Sequence, residues 1–196
     1  EHVLMIFPGA FRAISRRPTS RAIRNALDRF TPITRSQSSS ECSAAGARRI
    51  CIADTVGHAT PEGARNLVRF LRQVVDDTGE DVAVDWHGHN DRGLGLANAV
   101  AAAEAGADRI HGTILGIGER VGNCALDQLL VNFELFGWSH WNLQPLSGLC
   151  ALVSRATGVA IPESYPVFGK DAYRTQTGVH AAAILKARAK GHDWLA

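Results

Sequence analysis

From Arg48 to Phe136 the chain alternates strand-length apolar runs with helix-length amphipathic ones, leaving short loops between them. This alternation is the strongest constraint on the fold, because a strand, a helix and a second strand pack as a parallel pair with a crossover helix. Residues 49–53 (RICIA) read as a strand, with Asp54, Thr55, Val56 and Gly57 as its loop. Thr60 then caps a helix with Pro61 at its first position, and Ala64, Leu67, Val68, Leu71 and Val74 recur on one face before Gly79 ends it. Residues 82–86 predict a second strand, residues 96–105 an alanine-rich helix stopped by Gly106, and residues 109–113 a third strand. Residues 125–136 predict a helix with Leu126, Leu129, Leu130, Phe133 and Phe136 on one stripe and Gly137 behind it.

Three such units predict an α/β fold, either a (βα)8 barrel or a doubly wound sheet. A doubly wound sheet calls for a phosphate loop of GxGxxG type after a strand and an acidic ribose partner. The stretch from Gly116 to Asn123, GIGERVGN, instead sets Glu119 and Arg120 among its glycines, and no acidic partner can be picked out. The barrel is favoured because it brings all three loops to one face, where residues from different strands share a site.

Those loops carry the chemistry. His87 and His89 lie one residue apart at the end of an apolar run, so on an extended backbone their side chains fall on the same side. Gly88 between them lets the backbone pass close to whatever they hold. From the pair alone, two metal ligands and two hydrogen-bonded loop histidines both remain open.

Composition excludes several classes. A net charge of +2 is too small to argue for nucleic acid, and 45% hydrophobic with 20% charged residues is ordinary for a globular protein. No apolar run approaches the ~20 residues needed to cross a bilayer, and the first residues lack the apolar core of a secretory signal. Cys42, Cys51, Cys124 and Cys150 form no regular spacing and read as reduced thiols of a cytoplasmic protein. Cys124 suits a small buried thiol at a helix start better than a nucleophile. His58 and His111 read as histidines with ordinary hydrogen bonds, and Asp54 and Thr55 as groups that close a turn.

Residues 54–63 (DTVGHATPEG), 87–98 (HGHNDRGLGLAN) and 112–127 (GTILGIGERVGNCALD) together resemble the 2-isopropylmalate synthase family, which includes homocitrate and citramalate synthases and related metal-dependent lyases. The resemblance begins near residue 47 and runs to the end of the chain. It implies the last strands of a TIM barrel over residues 47–143, then a linker and helical subdomain over residues 144–196. It also implies that His87, His89 and Asn123 hold a divalent cation (Mg, Mn or Zn) and that Thr55 contacts a 2-oxo acid. Asn90 and Asp91 would support the ligand loop, and a Glu119–Arg120 pair would shape its neighbour. Residues 168–173 (FGKDAY) and 177–180 (TGVH) resemble the segment after the barrel, which implies that His180 is the candidate catalytic histidine, reaching the site of a partner subunit in a homodimer.

The implied reaction is a metal-assisted Claisen condensation of acetyl-CoA with a 2-oxo acid, 2-oxoisovalerate first among them, as in leucine biosynthesis. The family's lyases carry a catalytic cysteine in the glycine-rich loop where this chain has GERVG, which tilts the reading toward a synthase. A homocitrate- or citramalate-type synthase, a hydroxyacyl-CoA lyase and an inactive fragment are the alternatives. Neither a regulatory domain of the family's kind nor feedback by leucine is expected of this sequence.

Residues 1–46 depart from the family. They are rich in arginine and serine and poor in acids, and they do not look like barrel strands. They read either as a targeting presequence or as an unrelated segment joined to a truncated enzyme. The family's first-strand arginine and acidic metal ligand are not found there. About three of eight strands would leave sheet edges unpaired, and three neutral ligands would bind a dication weakly, so little catalysis is expected of this chain alone.

Overall fold

The structure is a computed structural model that describes the backbone of residues 3–6 and then residues 48–77, 79, 81–174 and 178–191. The remainder of residues 1–46, and with it the question of a presequence, lies outside the described residues. Two compact units divide the chain, Glu1–Leu146 and Ser147–Ala196.

In the first unit, β1 (Val3–Ile6), β2 (Arg49–Asp54), β3 (Ala83–Gly88) and β4 (Arg109–His111) form one sheet in the order β1-β2-β3-β4. All three pairings are parallel. Crossover helices α1 (Pro61–Asp76) and α2 (Gly95–Glu104) join β2 to β3 and β3 to β4, and α3 (Leu126–Leu135) follows the last strand. The expectation that residues 1–46 hold no strand is corrected here, because Val3 stands opposite Arg49 and Ile6 opposite Ile52. The run VLMIF is too short to stand out beside the arginine-rich sequence after it, yet it has the continuous apolar character of a parallel strand.

The sheet's alternation separates its two faces. Ile50, Ile52, Val84 and Trp86 point to the helices and pack with Ala64, Val68, Leu71 and Val75 of α1 and Ala102 of α2. Arg49, Cys51, Asp85, His87 and His111 occupy the opposite face. Helix α1 starts where the sequence places it: Pro61 is the first residue, and the Thr60 hydroxyl accepts the Gly63 N–H at 3.1 Å. Thr60→Ala is expected to lower unfolding free energy by about 1 kcal/mol in urea titration, the usual cost of a lost N-cap.

The second unit contains α4 (Leu146–Thr157) and α5 (Gly178–Ala189). Residues 162–174 between them make successive tight turns, among them Tyr165 N–H to the Pro162 carbonyl at 3.0 Å and Ala172 N–H to the Gly169 carbonyl at 3.1 Å, and the Asp171 N–H closes the segment back on the Glu163 carbonyl at 2.8 Å.

A candidate metal centre at the strand ends

Three loops meet beyond the carboxyl ends of β2, β3 and β4. Their close approach depends on glycine. A Cβ on Gly57 would lie 2.6 Å from the Asp91 nitrogen and 2.8 Å from the His89 oxygen, so the Thr55 loop lies directly on the histidine loop. The His89 N–H donates to the Asp54 carbonyl at 3.1 Å, and the Asn90 N–H donates to the Gly122 carbonyl at 3.0 Å. All three loops are thereby tied by backbone.

His87 ends β3 and His89 follows it, with their Nε2 atoms 3.3 Å apart. Two imidazole nitrogens bound at about 2.1 Å to one ion, at an angle of about 90–110°, stand about 3.0–3.4 Å apart. Asn123 forms an antiparallel bridge with His89, which sets the two side chains on one face. Its Oδ1 is buried without a hydrogen-bond partner, and so is His89 Nδ1. An unpaired buried carbonyl oxygen is costly, and a cation is one of the few groups that would satisfy it there. Burial first, then the neighbouring His89 and His111, push the His87 pKa down, which favours the neutral form that ligates metal. The donor chemistry therefore fits a divalent cation. Among the described residues no three His, Cys, Asp or Glu side chains gather to hold one, so the donor set here is two imidazoles and one carboxamide.

The loop from Gly116 to Asn123 is wound tightly to present that carboxamide. Leu115 and Arg120 take positive φ of 61° and 56°, which side chains other than glycine seldom adopt. Asp127, fully buried on α3, accepts the Leu115 N–H at 2.6 Å and so anchors the turn.

The supporting residues differ in part from expectation. Asn90 caps α2 by accepting the Gly95 N–H on Oδ1 at 2.9 Å. Arg120 makes its main pair with Asp91, Nε to Oδ1 at 2.7 Å and Nη2 to Oδ2 at 3.0 Å, and also donates from Nη2 to the Thr55 carbonyl at 2.6 Å. Glu119 stands 3.6 Å from Arg120 and is largely in water. The expected Glu119–Arg120 pair is thus secondary to Arg120–Asp91, because adjacent side chains diverge while the guanidinium fork fits a carboxylate across the loops. Hydrogen bonding from Arg120 lowers the Asp91 pKa. Arg120→Lys is expected to loosen the loops, because an ammonium cannot hold Asp91 through two parallel bonds and reach Thr55 as well; faster exchange of the Asn90 and Asn123 amides would register it, and unchanged exchange would argue against it.

Asp54 closes a turn, its carboxylate accepting the His58 and Ala59 N–H groups at 2.8 and 3.1 Å. Thr55 is half-buried beside it. Cys124 is buried, and burial pushes its pKa up to about 12, which fits an inert thiol. His180 stands on α5 in the second unit and is exposed.

A family model described as HMGL-like matches residues 31–153. The chain belongs to the HMGL-like family, and its sheet and helices are part of a TIM-barrel-type fold. It is 44% identical over 147 residues to a putative (R)-citramalate synthase of Methanopyrus kandleri, covering 74% of this chain and 28% of that protein. It is 42% identical over 147 residues to a 2-isopropylmalate synthase of Geobacillus, covering 72% of this chain and 28% of the relative. A homocitrate synthase of Sulfolobus acidocaldarius is 40% identical over 142 residues, covering 72% of this chain and 30% of the relative. The chain thus spans less than a third of these relatives' length. In fold it is similar to the N-terminal domain of a putative aldolase from Bacteroides vulgatus, with a TM-score of 0.57 and 22% identity over 80% of this chain and 53% of the other. No helix among the described residues is long and apolar enough to cross a membrane.

Proposed function

We propose that this chain supplies part of the active site of a synthase that condenses acetyl-CoA with a 2-oxo acid, and that His87, His89 and Asn123 are its cation ligands. The carrying observation is the 3.3 Å approach of two imidazole nitrogens together with an unpartnered buried Oδ1 on Asn123, the bridge partner of His89. Held by these three residues, a divalent cation would supply Lewis-acid polarisation of the 2-oxo carbonyl. The chain's own residues do the rest of what can be assigned. Thr55, whose carbonyl Arg120 holds, is assigned contact with the oxo acid. His180 is assigned proton transfer in the site of a second subunit, so a homodimer belongs to the proposal. Mg, Mn and Zn are the candidate ions: the two imidazoles suit Zn, and the carboxamide oxygen suits Mg and Mn.

Among the 2-oxo acids, 2-oxoisovalerate is the first choice, with pyruvate and 2-oxoglutarate as the alternatives that relatives at 44% and 40% identity support equally. A synthase is favoured over a cysteine-dependent lyase because Arg120 and Val121 occupy the middle of the glycine-rich loop, and Cys124, the thiol that follows the loop in sequence, is buried.

Calorimetric titration with Mn2+ tests the ligand set. Wild type is expected to bind and the His87→Ala/His89→Ala double variant not to; equal binding by both would overturn the assignment. Release of free CoA from acetyl-CoA, dependent on both a 2-oxo acid and a divalent cation, tests the reaction.

A further inference from the structure

Beneath the histidine pair, the inner face of the sheet carries a polar row that cation binding does not itself use. Register sets Cys51 opposite Asp85, Asp85 opposite Arg109, and His87 opposite His111. The Asp85 side chain is 1% exposed. It accepts Arg49 Nε at 3.0 Å on each oxygen and Arg49 Nη2 on Oδ1. Its Oδ2 lies 3.4 Å from His111 Nε2. The His111 ring packs on His87, centroids 5.7 Å apart and planes tilted by 60°, and His87 meets His89 edge to face at 5.1 Å. Arg49, Asp85, His111, His87 and His89 therefore form one continuous line across three strands.

A structural ion pair between neighbouring strands accounts for Arg49 and Asp85, but not for a histidine set between that carboxylate and the ring of a ligand. Metal-binding imidazoles are usually aimed by a hydrogen bond on their second nitrogen. His89 Nδ1 has none. For His87 the contacts that can aim the ring are the His111 and His89 rings on either side of it.

We propose that Asp85 and His111 are positioning residues: the Arg49-anchored carboxylate fixes the His111 ring, and that ring fixes the direction in which His87 Nε2 points. The inference rests on His87 and His89 being the cation ligands, and it extends that reading to the groups that aim them.

The test uses the full chain labelled with 15N- and 13C-histidine, observed by NMR without metal and during titration with Zn2+ alone. Wild type should show cross-peaks between the His87 and His111 rings and a single His87 ring environment. In His111→Ala the metal-free His87 ring signals should move and broaden, and Zn2+ affinity should fall about tenfold, as for other residues that orient metal ligands. His111→Phe, which keeps a ring against His87, should recover most of the affinity, a rescue that loss of fold stability would not produce. Asp85→Asn should move the same His87 signals to a smaller extent and serves if His111→Ala does not fold. Unchanged His87 signals and Zn2+ affinity in the folded variants would overturn the proposal. Should wild type bind no Zn2+ while His111→Ala still shifts His87, the cation reading fails and the positioning role stands.

Discussion

Gly122→Ala is expected to lower the unfolding free energy by about 3 kcal/mol or more, by combining strain at a positive φ with overpacking against backbone. Gly122 takes φ 92°, and a Cβ there would sit 1.9 Å from the Gly116 carbonyl oxygen, which cannot swing aside. Because Gly122 also receives the Asn90 N–H, the damage spreads to the histidine loop. Gly118→Ala makes a different demand. Its Cβ would meet the Asn123 Nδ2 at 2.0 Å, and Nδ2 is the tip of a side chain that can rotate away. The stability cost should stay within about 1 kcal/mol, while the displaced carboxamide weakens Mn2+ binding. Urea titration and calorimetry on both variants separate the two effects. Equal stability losses would mean that the loop is not wound as described, and undiminished Mn2+ binding by Gly118→Ala would remove Asn123 from the ligand set.

Trp86→Ala should be the most damaging change in the core, at about 3–5 kcal/mol. Trp86 is fully buried between the sheet and helices α1 and α2, packed with Val84, Ile52 and Val68. Its Nε1 is buried without a partner, and releasing such a donor offsets part of the loss, so the lower end of that range is expected. Trp86→Phe keeps a ring and removes the unpaired donor, and should cost less than half as much. A larger loss from Trp86→Phe than from Trp86→Ala would mean that Nε1 has a partner when the chain is folded. Since typical domains hold only about 5–15 kcal/mol in reserve, Trp86→Ala should also shift the urea midpoint visibly.

The helices and inner strands were legible because their signals are local. Thr60 and Pro61 mark the start of α1, and the Ala64, Val68, Leu71 and Val74 spacing marks its buried face. The same-side placement of His87 and His89 follows from a two-residue period. β1 was not legible, since four apolar residues separated from their partner strand by more than forty others say nothing about pairing until the partner is in place. Arg120 was read with its neighbour Glu119 for a related reason: the sequence displays adjacency, whereas its stronger partner, Asp91, lies 29 residues away. Asp85 could have been found by the alternation that exposed His87, but its link to Arg49 and His111 depends on strand register.

By itself, then, the sequence determined the α/β alternation, the boundaries of the central elements and the residue types available for a cation. Each of these depends on backbone periodicity and on caps within a few residues. Only the tertiary structure decided that the His87 and His89 Nε2 atoms approach to 3.3 Å, that Asn123 pairs with His89 and buries its Oδ1 without a partner, and that Arg120 clasps Asp91. Those features arise where loops from three strands are pressed together, and the distances between such loops are set by parallel register and by glycines too small to hold them apart.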